Sequence, residues 1–409
     1  MRIRGIISIS LLIAASGVVA ANPGAPPGTQ WPIPERIDVS KVPAPKPVRR
    51  QTDITVGMWY FPIAETNVLA NAPWRTPLLY DSTPGAPEVN GIRLADIADP
   101  RVIDWHVYWM TKYGVNLMVW DWYPRRVAED KLDVEWDMNR VLECGFLGKR
   151  KLGGPPTSSN RFAGAIDFVV MVTNHMPVAS PELPEYLTKH FFSQPNYFKI
   201  DGKPWVIFWS PGDLIKETGS AEKAKEFLET IRESAKKAGF PGAYVTACVG
   251  YTGEPSPKKI KEAKDCAFDG ACAYNYAFAR GGKEAPLNGP DGNSYKYRFM
   301  DFEKDVRPNH TRIYNILADN FGTDYIAATC PMQDWRGGRK GGAVMCGASP
   351  EQFKLMLQEA KEVIQKRNLR PILTVEAWNE LGEGAYCEPN LGYGYGWLEA
   401  IAEVALPSK

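Results

Sequence analysis

The feature that most constrains this chain is a succession of short, nearly continuous apolar runs, each followed by a helical or loop stretch. They occupy 54–61, 115–122, 166–173, 205–209, 243–249, 267–276, 325–329 and 372–378. A strand with one wet face alternates polar and apolar residues. These runs do not, so both faces are covered, as in a parallel strand beneath helices. Helical patterns fall at 99–113, at 221–238 with Gly239 just past the end, at 350–366 and at 397–404. A small hairpin over 197–204 turns at Asp201-Gly202. No dinucleotide glycine fingerprint follows the first run. The eight runs therefore predict the α/β class, as a closed (β/α)8 TIM barrel over 54–409 instead of an open sheet.

The first residues have a different character. Arg2 and Arg4 precede an apolar stretch at 6–15, and Val18, Val19, Ala20 and Ala21 are small. This reads as a signal peptide over 1–21, implying a secreted or periplasmic protein with no membrane span after cleavage. The alternative is an uncleaved anchor. No cysteine follows closely enough for a lipoprotein. Residues 22–53 carry eight prolines between Pro23 and Pro47 and form a Pro-rich linker or a strap on the barrel.

Lys and Arg number 48 against 47 acids, and losing Arg2 and Arg4 leaves 46, a net charge near −1. Nothing in this balance calls for nucleic acid or an anionic membrane as partner, and a neutral polymer fits it. The seven cysteines form no CxxC pair or metal-ligand spacing, and His175 has no metal-binding companion, so no metal or cofactor is expected. Cysteines in strand patterns read as buried thiols. Cys330, Cys346 and Cys387 lie at the ends of neighbouring loops, where a disulfide between two of them is expected.

In such barrels chemistry sits at the C-terminal strand ends. Those ends carry Trp59, Tyr60, Trp120, Asp121, Trp122, Asn174, His175, Trp209, Tyr274, Asn275, Tyr276, Asp334, Trp335, Trp378 and Asn379. Aromatic rings grouped on one face suit the apolar faces of sugars, with Asp and Asn for their hydroxyls. Strands are rich in aromatics anyway; the grouping, more than any single ring, carries the expectation. For His175, substrate contact and a satisfied strand-end role stand equal.

The sharpest segment is Trp378-Asn-Glu-Leu-Gly-Glu-Gly-Ala-Tyr-Cys-Glu-Pro389. Glu380 ends the eighth run and Glu383 follows across Gly382. Two carboxylates on one barrel face provide an acid for a leaving oxygen and a base or nucleophile, as glycosidic bond cleavage requires. A bare ExxE is also what a helix N-terminus favours; placed after a buried strand, within WNExxEG, it points to a site.

This segment, with Gly394-Tyr-Gly-Trp-Leu-Glu-Ala400, resembles the closing signature of the glycoside hydrolase family 99-like, or WbsX-like, proteins. The agreement extends more weakly to Trp59-Tyr-Phe-Pro62, Tyr113-Gly114, Gly202-Lys-Pro-Trp205, Ala273-Tyr-Asn-Tyr276 and the stretch 331–336. Family 99 enzymes are retaining endo-acting α-mannosidases and α-mannanases on a (β/α)8 barrel. The resemblance implies that Glu380 is the base, removing a proton from the substrate's own 2-hydroxyl to give a 1,2-anhydro sugar, and that Glu383 is the acid. Tyr60 and Tyr276 are expected at the catalytic subsite by strand position, in a pocket between strands one, two, six and eight lined also by Trp59 and Trp122.

Two runs depart from the family. Its Trp-Ala-Asn-Glu-x-Trp becomes Val172-Thr-Asn-His-Met-Pro177, and its Gly-Trp-Asp-Asn-Thr becomes Met332-Gln-Asp-Trp-Arg-Gly337. Substrate subsites are therefore altered. WbsX-like proteins also bear a glycosyltransferase label, but neither a P-loop nor a metal-holding DxD near a strand end is evident. The basic, Gly-rich loop 336–342 is either solvated or a reader of a sulfate or carboxylate on a glycan. A non-catalytic carbohydrate-binding barrel is the remaining alternative.

Overall fold

A computed structural model describes residues 32–407 apart from 64, 87, 90, 153–161, 251–252, 277–279 and 290; the predicted signal peptide lies outside the described residues. The core is eight parallel strands: β1 (Thr55–Tyr60), β2 (Leu117–Trp122), β3 (Asp167–Val172), β4 (Lys203–Phe208), β5 (Tyr244–Gly250), β6 (Gly270–Ala273), β7 (Ala327–Thr329) and β8 (Ile372–Val375). Their neighbour order is β6-β5-β4-β3-β2-β1-β8-β7. A parallel bridge between Ala271 and Tyr325 closes the ring, with the Ile326 N–H donating to the Ala271 carbonyl at 2.8 Å. The predicted TIM barrel is therefore the fold.

The interior is filled by side chains. A Cβ on Gly57 of β1 would lie 3.2 Å from both Leu117 and Val119 and 3.4 Å from Thr374, so inward residues of β1, β2 and β8 meet with no room to spare. The sixth strand starts later than its sequence run, Ala267 having a left-handed φ of 56° unsuited to a strand, and it ends earlier, at Ala273. The predicted hairpin forms between Lys199–Ile200 and β4, with Asp201 and Gly202 at φ of 53° and 77°, as a type I′ turn requires.

Helices α1 (Pro100–Lys112), α2 (Glu182–Leu187), α3 (Pro211–Thr218), α4 (Ala221–Lys237), α5 (Pro257–Asp265), α6 (Arg307–Phe321), α7 (Pro350–Lys366) and α8 (Gly396–Ala405) surround the barrel. α3, α4, α5 and α7 each start after a serine (Ser210, Ser220, Ser256 and Ser349) whose hydroxyl accepts the backbone N–H three residues on. Replacing Ser349 by Ala should cost about 1 kcal/mol. An unchanged urea midpoint would show that this cap contributes nothing.

Residues 32–53 run along the barrel. Ile37–Asp38 pairs with Leu79–Tyr80, the Trp105 indole N–H donates to the Val42 carbonyl at 3.1 Å, and Arg49 meets Asp167 at the foot of β3 at 2.6 Å. A three-stranded sheet absent from the sequence reading joins Lys283–Asn288, Ser294–Asp301 and Gly342–Cys346. Between β2 and the helical layer, Lys149 and Glu143 form a fully buried ion pair at 2.7 Å. Tyr186 donates to both Glu143 oxygens at 2.8 Å, and the Trp122 indole N–H donates at 3.2 Å.

All seven cysteines are free, so the disulfide expected among Cys330, Cys346 and Cys387 is not formed. The Cys330 thiol turns to the Met332 carbonyl at 3.0 Å, while Cys346 is exposed at the end of a strand of the small sheet. Among the described residues no helix is long and apolar enough to cross a membrane.

Candidate active site

The C-terminal ends of the strands open into a cavity of about 280 Å³. Its wall takes Phe61 after β1, Asp121 from β2 and Tyr123 just after it, Met171, Thr173 and His175 from β3 and beyond, and Trp209 after β4. Tyr274 after β6, Arg339 from the loop after β7, and Glu380 and Glu383 after β8 complete it. The strands thus contribute by alternate residues, as the pleat requires.

That alternation corrects the sequence reading. With Val119 and Asp121 turned inward, Trp120 and Trp122 face out. Trp120 packs on Phe146, and Trp122 stacks on Tyr186 at 5.3 Å. Tyr60 also faces out, 2.9 Å from His106 of α1, and Trp378 packs against the same histidine. Tyr276 points towards α6, its hydroxyl 3.0 Å from that of Tyr325 and its ring against His310. Five expected sugar contacts therefore belong to the layer between barrel and helices. Trp59 does face inward, edge-on to Tyr274 at 5.0 Å.

Other expected contacts are taken up by the scaffold. Asn174 exchanges two hydrogen bonds with the Ser210 backbone, at 2.7 and 2.9 Å. Asn379 does the same with Phe61, at 2.9 and 2.8 Å, tying β8 to β1. Asp334 is held by Arg336 at 2.7 Å and lies 3.6 Å from Arg75. The Trp335 indole donates to Gln333 at 3.0 Å. His175 is exposed on the wall, edge-on to Tyr123.

The acid pair sits on a tight hairpin. Asn379–Glu380 pairs with Ala385–Tyr386, and Gly382 and Gly384 make the turn possible. A Cβ on Gly382 would collide with the Glu65 carboxylate, which accepts the Gly382 N–H, and Gly384 has a left-handed φ of 67°. Buried Arg75 pins the hairpin through the carbonyls of Leu381 at 2.8 Å and Asp334 at 2.7 Å. The two carboxyls are consequently fixed, with Glu380 4 % and Glu383 3 % exposed.

Arg339 Nη2 lies 3.5 Å from Glu380, 3.9 Å from Glu383 and 3.4 Å from Glu65. Gln333 Nε2 bridges Glu383 at 3.4 Å and Glu376, on the continuation of β8, at 3.2 Å. Burial, then the charges of Glu383, Glu376 and Glu65, push the Glu380 carboxyl well above its ordinary range, while the Tyr274 hydroxyl opposes the shift. Burial and Glu383 likewise push Glu376 well up, and burial raises Asp121. Each of these three carboxyls is therefore harder to ionise than one in water. The sequence reading did not find Glu65, Gln333, Arg339 or Glu376. Of these only Arg339, inside the basic loop 336–342, carried a signal, and Lys340 of that loop instead meets Asp291 at 3.1 Å. Among the described residues no group of three His, Cys, Asp or Glu side chains could hold a metal ion.

No curated protein matches this sequence. A solved structure described as a glycoside hydrolase-like protein is similar at 14% identity, covering 90% of this chain and 98% of that one with a TM-score of 0.54, which concerns the fold alone. The GH99 endo-alpha-mannosidase from Bacteroides thetaiotaomicron is similar at 13% identity over 85% of this chain and 95% of that one, with a TM-score of 0.47. Residues 158–401, more than half of the chain, match the family described as "Glycosyltransferase WbsX", and the chain belongs to that WbsX family.

Proposed function

We propose that this protein is a secreted or periplasmic glycoside hydrolase that cleaves an α-glycosidic bond of a polysaccharide or glycan with retention, Glu380 acting as base and Glu383 as acid. One observation carries the reading: two buried carboxyls on one hairpin approach the same guanidinium nitrogen, at 3.5 and 3.9 Å, at the cavity on the C-terminal face of the barrel. The rings of Phe61, Tyr123 and Trp209 on the same wall offer faces for a sugar. The resemblance of the closing sequence signature, 377–389 and 394–400, to family 99 makes an α-mannan-like polymer the first substrate to test.

In the first half-reaction the sugar 2-hydroxyl gives its proton to Glu380 as O2 bonds to C1. The C1–O bond to the leaving group breaks, and the departing oxygen takes a proton from Glu383. In the second, water gives a proton to Glu383 and adds to C1, the C1–O2 bond opens, and O2 recovers the proton from Glu380. Burial and the neighbouring acids raise the Glu380 carboxyl above its ordinary range, which suits a group that takes up the sugar's proton.

A glycosyltransferase reading follows the family's description. The cavity disfavours it: Asp121, Glu380 and Glu383, backed by Glu65 and Glu376, face Arg339, a poor setting for a nucleotide diphosphate. Screening the mature protein on α-mannans and other polysaccharides, with product analysis, tests the choice. Shortened products of retained configuration support hydrolysis; consumption of a nucleotide sugar with no hydrolysis overturns it. A substrate bearing hydrogen or fluorine in place of the 2-hydroxyl should not turn over. Trapping a glycosyl–Glu380 adduct would refute attack by the 2-hydroxyl.

A further inference from the structure

Tyr274 Oη stands between two carboxyl groups, 2.6 Å from Glu380 Oε2 and 3.2 Å from Asp121 Oδ2. A phenol has one proton to give. The shorter contact has the length of an O–H donated to an ionised carboxylate, so the Tyr274 proton points at Glu380. Either Asp121 then supplies a proton of its own to Oη, or lone pairs of the two oxygens face each other.

The surroundings of Asp121 choose between these. It is 3 % exposed, and its Oδ1 has no hydrogen-bond partner among the described residues. An ionised carboxylate there would be desolvated and poorly served. The charged groups facing this corner are Glu380 and Glu383 of the hairpin, Glu376 beneath them, Glu65 behind Gly382, and Arg339, which meets Glu65, Glu380 and Glu383. His175 lies further along the wall, in the field of Asp213. The corner is crowded with acids, and at least one of them must be neutral.

We propose that Asp121 is a positioning residue that holds this proton: Asp121 Oδ2–H donates to Tyr274 Oη, whose O–H donates to Glu380, and the chain keeps Glu380 ionised until the substrate arrives. When Glu380 accepts the sugar's proton, the two relay protons stay in place. The inference rests on Glu380 being the base. Burial pushes both Asp121 and Glu380 upward, and the relay decides which of the two keeps its proton.

Asp121→Asn retains a donor towards Tyr274, whereas Asp121→Leu and Tyr274→Phe break the chain. The first measurement is independent of catalysis. The infrared difference between the wild-type protein and Asp121→Asn at neutral pH should show loss of the carbonyl stretch of an un-ionised carboxylic acid. The second is the pH dependence of kcat/KM. Tyr274→Phe should move the acidic limb up by roughly one to two pH units, because Glu380 loses its donor; Asp121→Leu should move it up by less, because Tyr274 keeps its proton for Glu380 and loses only the hydrogen bond that polarises it. Asp121→Asn should leave that limb in place and lower kcat by less than about tenfold, below the usual effect of removing a general acid or base. If no acid band is lost, or if Asp121→Asn and Asp121→Leu both move the limb down, as removing a negative charge beside Glu380 would, Asp121 is ionised and the relay is wrong. Should no glycan be turned over, the hydrolase reading fails, and the infrared result still decides the relay.

Discussion

Glu383→Gln should lose about 10²–10⁴-fold of its turnover on unactivated glycans, the range associated with removing a general acid, yet keep activity on aryl glycosides with good leaving groups. Glutamine preserves the shape of the side chain and its contact with Gln333, so the hairpin and cavity should survive. What disappears is the proton for the departing oxygen, which an activated leaving group hardly needs. Glu380→Gln differs, because the base is needed whatever leaves, and should lose both substrate types. Comparing kcat/KM for the two variants on the two substrate classes checks the assignment. Equal losses by Glu383→Gln on both classes would move the acid to another residue, Glu376 being the nearest alternative at the shared Gln333 amide.

Lys149→Met should lower stability by about 3–5 kcal/mol, because it leaves the carboxylate of Glu143 buried without its cation. Tyr186 and Trp122 would still donate to Glu143, which places the effect towards the lower end. Adding Glu143→Leu should recover most of the loss, since a buried ion pair replaced by apolar side chains is often neutral or stabilising. Chemical denaturation of the two single variants and the double checks this. A double variant no better than Lys149→Met would show that the pair holds the helical layer in register and does more than cancel charge.

How much was legible in the sequence follows from the range of each interaction. Uninterrupted apolar runs marked the strands, and α7 matches the predicted 350–366, since periodicity and caps are local. The acid pair was legible because Gly382 and Gly384 sit beside it, and their turn is also local. Inward and outward facing was not read. Trp120, Asp121 and Trp122 looked equivalent at a strand end, yet the pleat sends only Asp121 to the cavity. Nor could spacing reveal that Glu65 receives the Gly382 N–H, a contact made by closing the barrel across 317 positions. The small sheet was missed because its partner strands, Ser294–Asp301 and Gly342–Cys346, lie on opposite sides of α6 and β7.

That small sheet fuses the loop after β6 with the loop after β7. Five residue pairs join Ser294–Asp301 to Gly342–Cys346, and the Tyr297 hydroxyl donates to the Arg339 carbonyl at 2.9 Å. In most barrels each loop varies on its own, which lets one scaffold serve many chemistries. Here two of the eight form a single lever. A change of length in the turn between Lys283–Asn288 and Ser294–Asp301 is geared through Tyr297 to the arginine beside the carboxylates. Insertions at that turn give selection a way to retune the mouth of the cavity while every strand of the barrel stays as it is.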